Sequence, residues 1–288
     1  METDRVLGML EEAARLHFAA YLVWGGEPFM RPDLMDILRH ARRLGLYTSL
    51  VTNGTSLAEK AKDVARAVDL TLVSLDHFSH YHNEMRGLDG VFEMAKDGIV
   101  KLKRAGGRVA VNCVLSKLNM DSVRGVCELA RALRVKVAFD PMEVFPGINE
   151  EYALSHAERI GLFSEILRFK RDGYPILNSY DYIQHLISSQ ACSCAQPRVF
   201  MVVSENGVIA PFWCRKNSQP LGDLREQSLG SILCSDRYEE FVKTVKGCNL
   251  CVNSVTAESS LFYSARRFFT NCFTTHNPIL RFIADYSL

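Results

Sequence analysis

Seven of the nine cysteines in this 288-residue chain fall between Cys192 and Cys272, and none precedes Cys113. Cys248 and Cys251 stand in Cys-Asn-Leu-Cys, a spacing that brings two thiolates to one metal within a turn. Cys194 and Cys214 flank a predicted hairpin: apolar residues 199–203, then Glu205-Asn206-Gly207, then apolar residues 208–212. Asn-Gly supplies the positive φ angles of a tight turn, and two more thiolates brought in by a hairpin complete four-coordinate ligation. A second locus offers different chemistry. In Trp24-Gly25-Gly26-Glu27-Pro28 the glycines let a ligand approach the backbone, the Glu27 carboxylate can hold a cationic amino group, and Pro28 fixes the chain's exit. Taken alone, this is equally a tight turn with an exposed glutamate.

The elements that must position these residues follow from periodicity. Up to about residue 172 short β-branched or apolar runs alternate with longer segments of helical period, the pattern of parallel strands joined by crossover helices. Strands are predicted near 19–24, 46–51, 70–75, 108–115 and 135–140. Between them Leu34, Ile37, Leu38, Ala41 and Leu44 make one apolar helix stripe, as do Phe92, Ala95, Ile99 and Leu102, and Val123, Val126, Cys127, Ala130 and Leu133. A further helix is predicted over residues 4–17, capped by Thr3 or Asp4. Asp-Gly-Tyr-Pro at 172–175 breaks the last of the series, and the character then changes to clustered cysteines, short strands and turns. Two domains are expected, 1–180 and 190–288. In loops of such α/β folds, the C-terminal strand ends carry the chemistry.

Composition narrows the partners. The formal net charge is +1, so no long-range field recruits nucleic acid or acidic lipid. The longest nearly apolar stretch, residues 18–24, is far short of the roughly 20 residues of a membrane-spanning helix, so no transmembrane segment is expected. An odd cysteine count without an export signal reads as reduced thiols in a cytoplasmic protein. That leaves a small molecule, a peptide or a lipid as substrate.

Four ordered passages together resemble the radical S-adenosylmethionine (radical SAM) superfamily. They are Gly25-Gly26-Glu27-Pro28 with Pro32-Asp33-Leu34 behind it, Val51-Thr52-Asn53-Gly54-Thr55, Val73-Ser74-Leu75-Asp76, and Arg86-Gly87 with Gly90-Val91-Phe92. The resemblance implies a partial (β/α)6 TIM-like barrel missing its first strand, followed by a small cysteine-rich α+β C-terminal domain. It implies that Gly25, Gly26 and Glu27, with Pro28, contact the methionine amino group of S-adenosylmethionine. Ser74 and Asp76 would lie near its ribose or the substrate, and Asn112 would be another cofactor-side residue. Thr52 and Asn53 would face the cofactor, although Asn-Gly is also a common turn pair, and Ser74 and Asn112 read equally as satisfied polar strand ends. His77, His80 and His82 read as loop residues rather than metal ligands.

The cysteine-rich part, with Pro220-Leu221-Gly222-Asp223 and Ser228-Leu229-Gly230-Ser231-Ile232, resembles the SPASM or twitch auxiliary-cluster extension of that superfamily. The implied [4Fe–4S] ligands are Cys194, Cys214, Cys248 and Cys251, with Cys192 as a substitute. Cys234 and Cys272 read as free thiols, Cys113 and Cys127 as core. Zinc would satisfy the same thiolates. The aromatic and basic segment 261–273 is expected to pack on the barrel. The superfamily's Cys-x3-Cys-x2-Cys loop does not occur in this sequence; the family order would place it upstream of Met1, so the radical-generating [4Fe–4S] cluster is expected only in a longer form. The expected function is radical modification of a peptide or cofactor precursor, with electrons from a ferredoxin or flavodoxin. The rivals are a catalytically inactive barrel serving as a ligand- or partner-binding module, and a zinc-stabilised interaction protein.

Overall fold

The computed structural model describes residues 1–188, 193–211, 214 and 216–263. Its first part alternates helices and strands: α1 (Thr3–Arg15), β1 (Ala20–Val23), α2 (Leu34–Arg43), β2 (Tyr47–Thr52), α3 (Leu57–Ala67), β3 (Leu70–Ser74), α4 (Tyr81–Arg86), α5 (Val91–Arg104), β4 (Val109–Leu115), α6 (Val123–Leu133), β5 (Lys136–Pro141) and α7 (His156–Arg171). The strands pair in parallel in the order β1-β2-β3-β4-β5. This is the α/β architecture expected from the alternation, as an open five-stranded sheet. Beyond it come α8 (Tyr180–Ser188), α9 (Gln196–Val199), β6 (Val202–Val203), β7 (Val208–Ala210), β8 (Gly222–Asp223), α10 (Leu229–Leu233), α11 (Asp236–Thr244) and α12 (Ser254–Tyr263). The strands β6-β7-β8 form a small antiparallel sheet.

Successive strand residues point to opposite faces, and the cores divide accordingly. Leu50, Val73, Val111, Cys113, Val137 and Phe139 pack with the stripes of α2, α3, α5, α6 and α7 in the main core. Leu70, Leu72, Ala110 and Ala138 line the other face. By the same alternation Ser74 and Asn112, paired in register, and Asp140 fall on that second face, nearer the C-terminal ends. Cys113 and Cys127 are both buried in the main core, and that core extends to Tyr182, Ile183, Leu186 and Ala257. Along the outer side of β5, Val137 N–H donates to Pro175 O and Leu177 N–H donates to Val137 O, each at 2.8 Å.

Three local expectations are corrected. Thr3 is not a cap: Glu2 occupies that position, and the Thr3 hydroxyl donates to Asp33. Val199 belongs to α9 rather than to a strand, because Pro197 in the first turn starts a helix there. In the hairpin only Gly207 has positive φ (88°), and its N–H bonds back to Ser204 O at 2.9 Å. The turn is therefore four residues closed by a left-handed glycine, not a two-residue Asn-Gly turn. Phe212 lies outside the described residues, as do Cys192, Cys272 and most of the segment 261–273.

The two parts are joined through α1. Glu12 Oε2 accepts from Leu229 N–H at 2.8 Å and Oε1 from Gly230 N–H at 2.9 Å, at the start of α10, and Arg5 donates to Leu224 O. Burial alone would raise the Glu12 carboxyl, but the N–H groups of Gly230 and Leu229, the Ser228 hydroxyl and Arg15 together hold it below its ordinary value. Glu12→Ala should therefore cost about 1–2 kcal/mol in urea unfolding at neutral pH, the worth of a lost helix cap. Because the folded-state pKa is depressed, this contribution is complete above the ordinary glutamate range and disappears as pH falls through the folded value. Wild-type and variant curves should converge in acid; a constant difference would contradict the capping role.

Candidate functional site

Parallel pairing brings every strand's C-terminal end to one edge, and the Gly-Gly-Glu-Pro turn follows β1 at that edge. Gly25 and Gly26 have φ of 95° and 46°, and a Cβ added to either meets no atom within 4 Å. The backbone conformation calls for glycine there, and the space beside it is open. Glu27 is turned back onto the neighbouring strand tip. Its Oε1 accepts from the Thr52 hydroxyl at 2.9 Å and from Phe29 N–H at 3.2 Å, and its Oε2 accepts from Asn53 N–H at 2.7 Å. Pro28 is buried in the short helical turn that follows. Asn53 also performs turn chemistry, its Oδ1 accepting from Thr55 N–H and hydroxyl. The Thr52-Asn53 pair thus performs turn chemistry, in a turn whose first residues fix the glutamate.

The β3 tip is built differently. Asp76 is 5% exposed; its Oδ1 accepts from Val114 N–H at 2.9 Å and its Oδ2 meets Arg86 Nη2 at 2.5 Å. Burial pushes its carboxyl up, against the opposing pull of Arg86 and Val114. Asn119 ties the same corner to β4, donating to Asp76 O at 2.8 Å and Val114 O at 2.9 Å. His82 lies in α4, fully buried, and its Nδ1 accepts from Asp76 N–H at 3.1 Å. Burial, then the neighbouring Arg86 and His77, push it down to about 4, so it is neutral at physiological pH with its proton on Nε2. The reading of His82 as a loop residue is corrected: helical spacing after Ser79 turns it inward, under the aspartate.

The second locus is a pocket lined by His185, Cys194, Cys248, Asn249, Cys251, Thr256, Ala257 and Ser260. Cys194 N–H donates to Cys248 O at 2.8 Å. Burial pushes the Cys251 thiol up to about 12, and the nearby Cys194, Cys248 and Cys214 add to the shift. Burial likewise raises Cys194, with Cys248 and Cys214 contributing. The four expected ligands are therefore close enough to feel one another's charge, although among the described residues no three Cys, His, Asp or Glu side chains gather tightly enough to hold a single metal ion. Cys234 is an exposed free thiol.

A polar brace holds the Cys248–Cys251 loop to the sheet. Asp140, at the end of β5, accepts from Ser254 N–H at 2.7 Å and Ser254 Oγ at 3.0 Å. The Tyr182 hydroxyl donates to Val252 O at 2.7 Å and lies 3.0 Å from Asp140 Oδ1. Asn253 donates to Glu143, and His185 Nε2 lies 3.2 Å from Cys251 O. Glu258 accepts from Ser179 N–H at 2.6 Å, and burial pushes it up to about 7. None of these brace residues forms a motif; an acidic residue ending a strand, Asp140, is the one trace in the sequence.

The residues at both loci fit the groups that the resemblance implies. An ionised carboxylate accepts about four hydrogen bonds, and Glu27 receives three within the protein, leaving acceptor capacity beside the open glycine turn. Three soft thiols, Cys194, Cys248 and Cys251, line one pocket, Cys214 lies near enough to feel the charge of Cys194 and Cys251, and four such thiols are the donor set of an iron–sulfur cluster or zinc. The sequence contains no Cys-x3-Cys-x2-Cys triplet, so these residues supply no ligands for a radical-generating cluster.

Comparison with known proteins gives the chain's likeness in family and in fold. Residues 1–130 match the model of the radical SAM superfamily. The AdoMet-dependent heme synthase of Methanosarcina barkeri is 33% identical over 136 residues, 46% of this chain and 39% of that protein. The PqqA peptide cyclase of Rhizobium meliloti is 27% identical over 248 residues, 81% of this chain and 65% of that protein. The chain thus spans between 39% and 65% of the length of these two curated relatives. Among solved structures, native anSMEcpe with bound AdoMet superposes with a TM-score of 0.65 at 18% identity, covering 98% of this chain and 90% of that one. SuiB of Streptococcus suis bound to its precursor peptide SuiA gives 0.67 at 13% identity, covering 88% and 64%. At these identities the structural likeness is one of fold.

Proposed function

Since this chain belongs to the radical SAM superfamily, a family whose cofactors are S-adenosylmethionine and [4Fe–4S] clusters, we propose that it takes part in radical modification of a peptide. In this reading the Gly25–Glu27 turn and the adjoining strand tips receive S-adenosylmethionine, and Cys194, Cys214, Cys248 and Cys251 hold an auxiliary [4Fe–4S] cluster. One observation carries the proposal: Glu27 is clamped by Thr52 and Asn53, which sets the glycine turn and the strand tips on one edge around open space. The peptide substrate is supported by the PqqA peptide cyclase relative and by the fold shared with peptide-bound SuiB.

When bound, S-adenosylmethionine supplies radical hydrogen-abstraction chemistry. The protein's own part is to bind and orient. Glu27 holds the cationic amino group while Thr52 and Asn53 keep its carboxylate from swinging to solvent. Ser74 and Asn112, side by side on the same face, present polar groups towards the ribose or the substrate. The Asp76–Arg86 pair, with His82 and Asn119 beneath it, fixes the β3 tip that carries Ser74. The radical SAM context favours a cluster over zinc in the cysteine pocket. All seven described cysteines are free thiols, a state suited to the cytoplasm, where a ferredoxin or flavodoxin would serve as electron donor.

Titration of S-adenosylmethionine into the purified protein tests the first locus. Glu27→Ala should weaken binding by about 10- to 100-fold, the loss of one charge-assisted hydrogen bond. Unchanged affinity would remove Glu27 from the site. Sulfide analysis after anaerobic reconstitution tests the second, since zinc uptake without sulfide would make the cysteine pocket a structural zinc site.

A further inference from the structure

We propose that the Thr256 hydroxyl donates a hydrogen bond to a sulfur of the centre held in the cysteine pocket, and thereby sets that centre's reduction potential. The inference rests on the cluster reading above and goes one step further, to the control of electron affinity at the site.

Thr256 is 1% exposed and lines the pocket together with Cys194, Cys248 and Cys251. Its Oγ1 is fully buried and has no hydrogen-bond partner among the described residues. A buried hydroxyl left unpaired costs about 1–3 kcal/mol, so such a group in a native fold calls for an explanation. The usual one for a helical threonine is a bond back to the carbonyl four residues earlier. Here that carbonyl belongs to Val252, and it accepts from the Tyr182 hydroxyl at 2.7 Å.

The other buried polar groups of the lining are engaged within the protein. Ser260 Oγ accepts from Ala195 N–H at 2.9 Å, and His185 Nε2 lies 3.2 Å from Cys251 O. Thr256 itself is held in place, its N–H donating to Asn253 Oδ1 at 2.8 Å in the first turn of α12. Asn253 is in turn bound to Glu143, and the next residue, Ser254, to Asp140. The donor is thus fixed, buried, unspent and on the pocket lining that it shares with Cys194, Cys248 and Cys251. Hydrogen bonds to cluster or thiolate sulfur stabilise the reduced, more negative state and raise the potential. Thr256 is a tuning residue, not a ligand.

The test is a redox titration of the full chain after anaerobic reconstitution, with iron and sulfide measured on each sample. Thr256→Val keeps the shape and removes the donor. At a fixed applied potential its ratio of reduced to oxidised cluster should fall about tenfold, equivalent to 59 mV for a one-electron couple, and Thr256→Ser should restore it. Pulsed electron paramagnetic resonance of the reduced wild type in heavy water should show an exchangeable deuteron that Thr256→Val lacks. Metal-free Thr256→Val should unfold no earlier than wild type, since the hydroxyl has no partner among the described residues to lose. Should Thr256→Val fail to load, Thr256→Ser against Thr256→Ala isolates the same hydroxyl. Equal potentials in either comparison, at equal iron and sulfide, overturn the inference and leave the cluster reading intact. A wild-type protein that takes up zinc and no sulfide overturns both.

Discussion

Cys248→Ala combined with Cys251→Ala is expected to leave the protein colourless after anaerobic reconstitution, with iron and sulfide near zero. The pair occupies the loop that Cys194 N–H, the Tyr182 hydroxyl, Ser254 and Asn253 hold in place, so losing both thiolates removes half the donor set at once. Without a cation beside it, the remaining Cys194 thiol resists ionisation, because burial opposes its charged form. Metal binding in such a site is also folding free energy. The loaded wild type should therefore gain thermal stability over its metal-free form, and the double variant should show no such gain. The side-chain loss itself is modest: Cys248, 6% exposed, packs beside Ile209, Ile232 and Phe241, and trimming one small group there costs on the order of 1 kcal/mol. Full iron content surviving the double replacement would refute the ligand assignment.

The second large effect is expected at the β3 tip. Arg86→Ala strands the Asp76 carboxylate, whose side chain is 7% exposed, without its 2.5 Å partner. Breaking a buried pair by removing one member costs about 3–5 kcal/mol, and the low end applies here because the Arg86 side chain is 32% exposed. The penalty has a pH signature. Burial already raises the Asp76 pKa, and loss of the guanidinium raises it further above the unfolded value. Stability of the variant must then fall as pH rises through the window between those two values, where the folded chain would keep a proton that the unfolded chain releases. Urea unfolding from pH 4 upward should show the gap to wild type opening steadily. Adding Asp76→Asn to Arg86→Ala should recover much of the loss, because a neutral amide needs no counter-charge. A gap independent of pH, or no recovery in the double variant, would show that Arg86 acts through packing alone.

The contrast between what could be read from the sequence and what could not follows the range of the interactions. The five parallel strands were legible because each leaves a local record, such as the fully buried Leu70–Ser74 run of β3 or the single stripe of α6. Gly-Gly-Glu-Pro was legible because the glycines, the carboxylate and the proline are adjacent. The clamp on Glu27 was not: its partners Thr52 and Asn53 are 25 and 26 residues away, and nothing in either segment names the other. The brace on the cysteine loop is more remote still, with Ser254 and Asp140 separated by 114 positions. The burial of His82 leaves no local record, because it depends on how α4 sits over the Asp76 corner, a tertiary fact that three histidines in six residues tend to obscure. Asn-Gly overstates the turn, since the hairpin uses the glycine's left-handed conformation and leaves Asn206 in an ordinary one. Thr256 carries no sequence signal whatever; only its burial on the cysteine lining gives its hydroxyl meaning.

The chain running beside β5 has a consequence at high concentration. An open sheet normally leaves a flank of bare amide and carbonyl groups on which a second molecule can template itself. Here the segment 175–177 already consumes both main-chain groups of Val137, so that flank is blunted against intermolecular strand pairing, and the protein is guarded there from sheet-to-sheet aggregation.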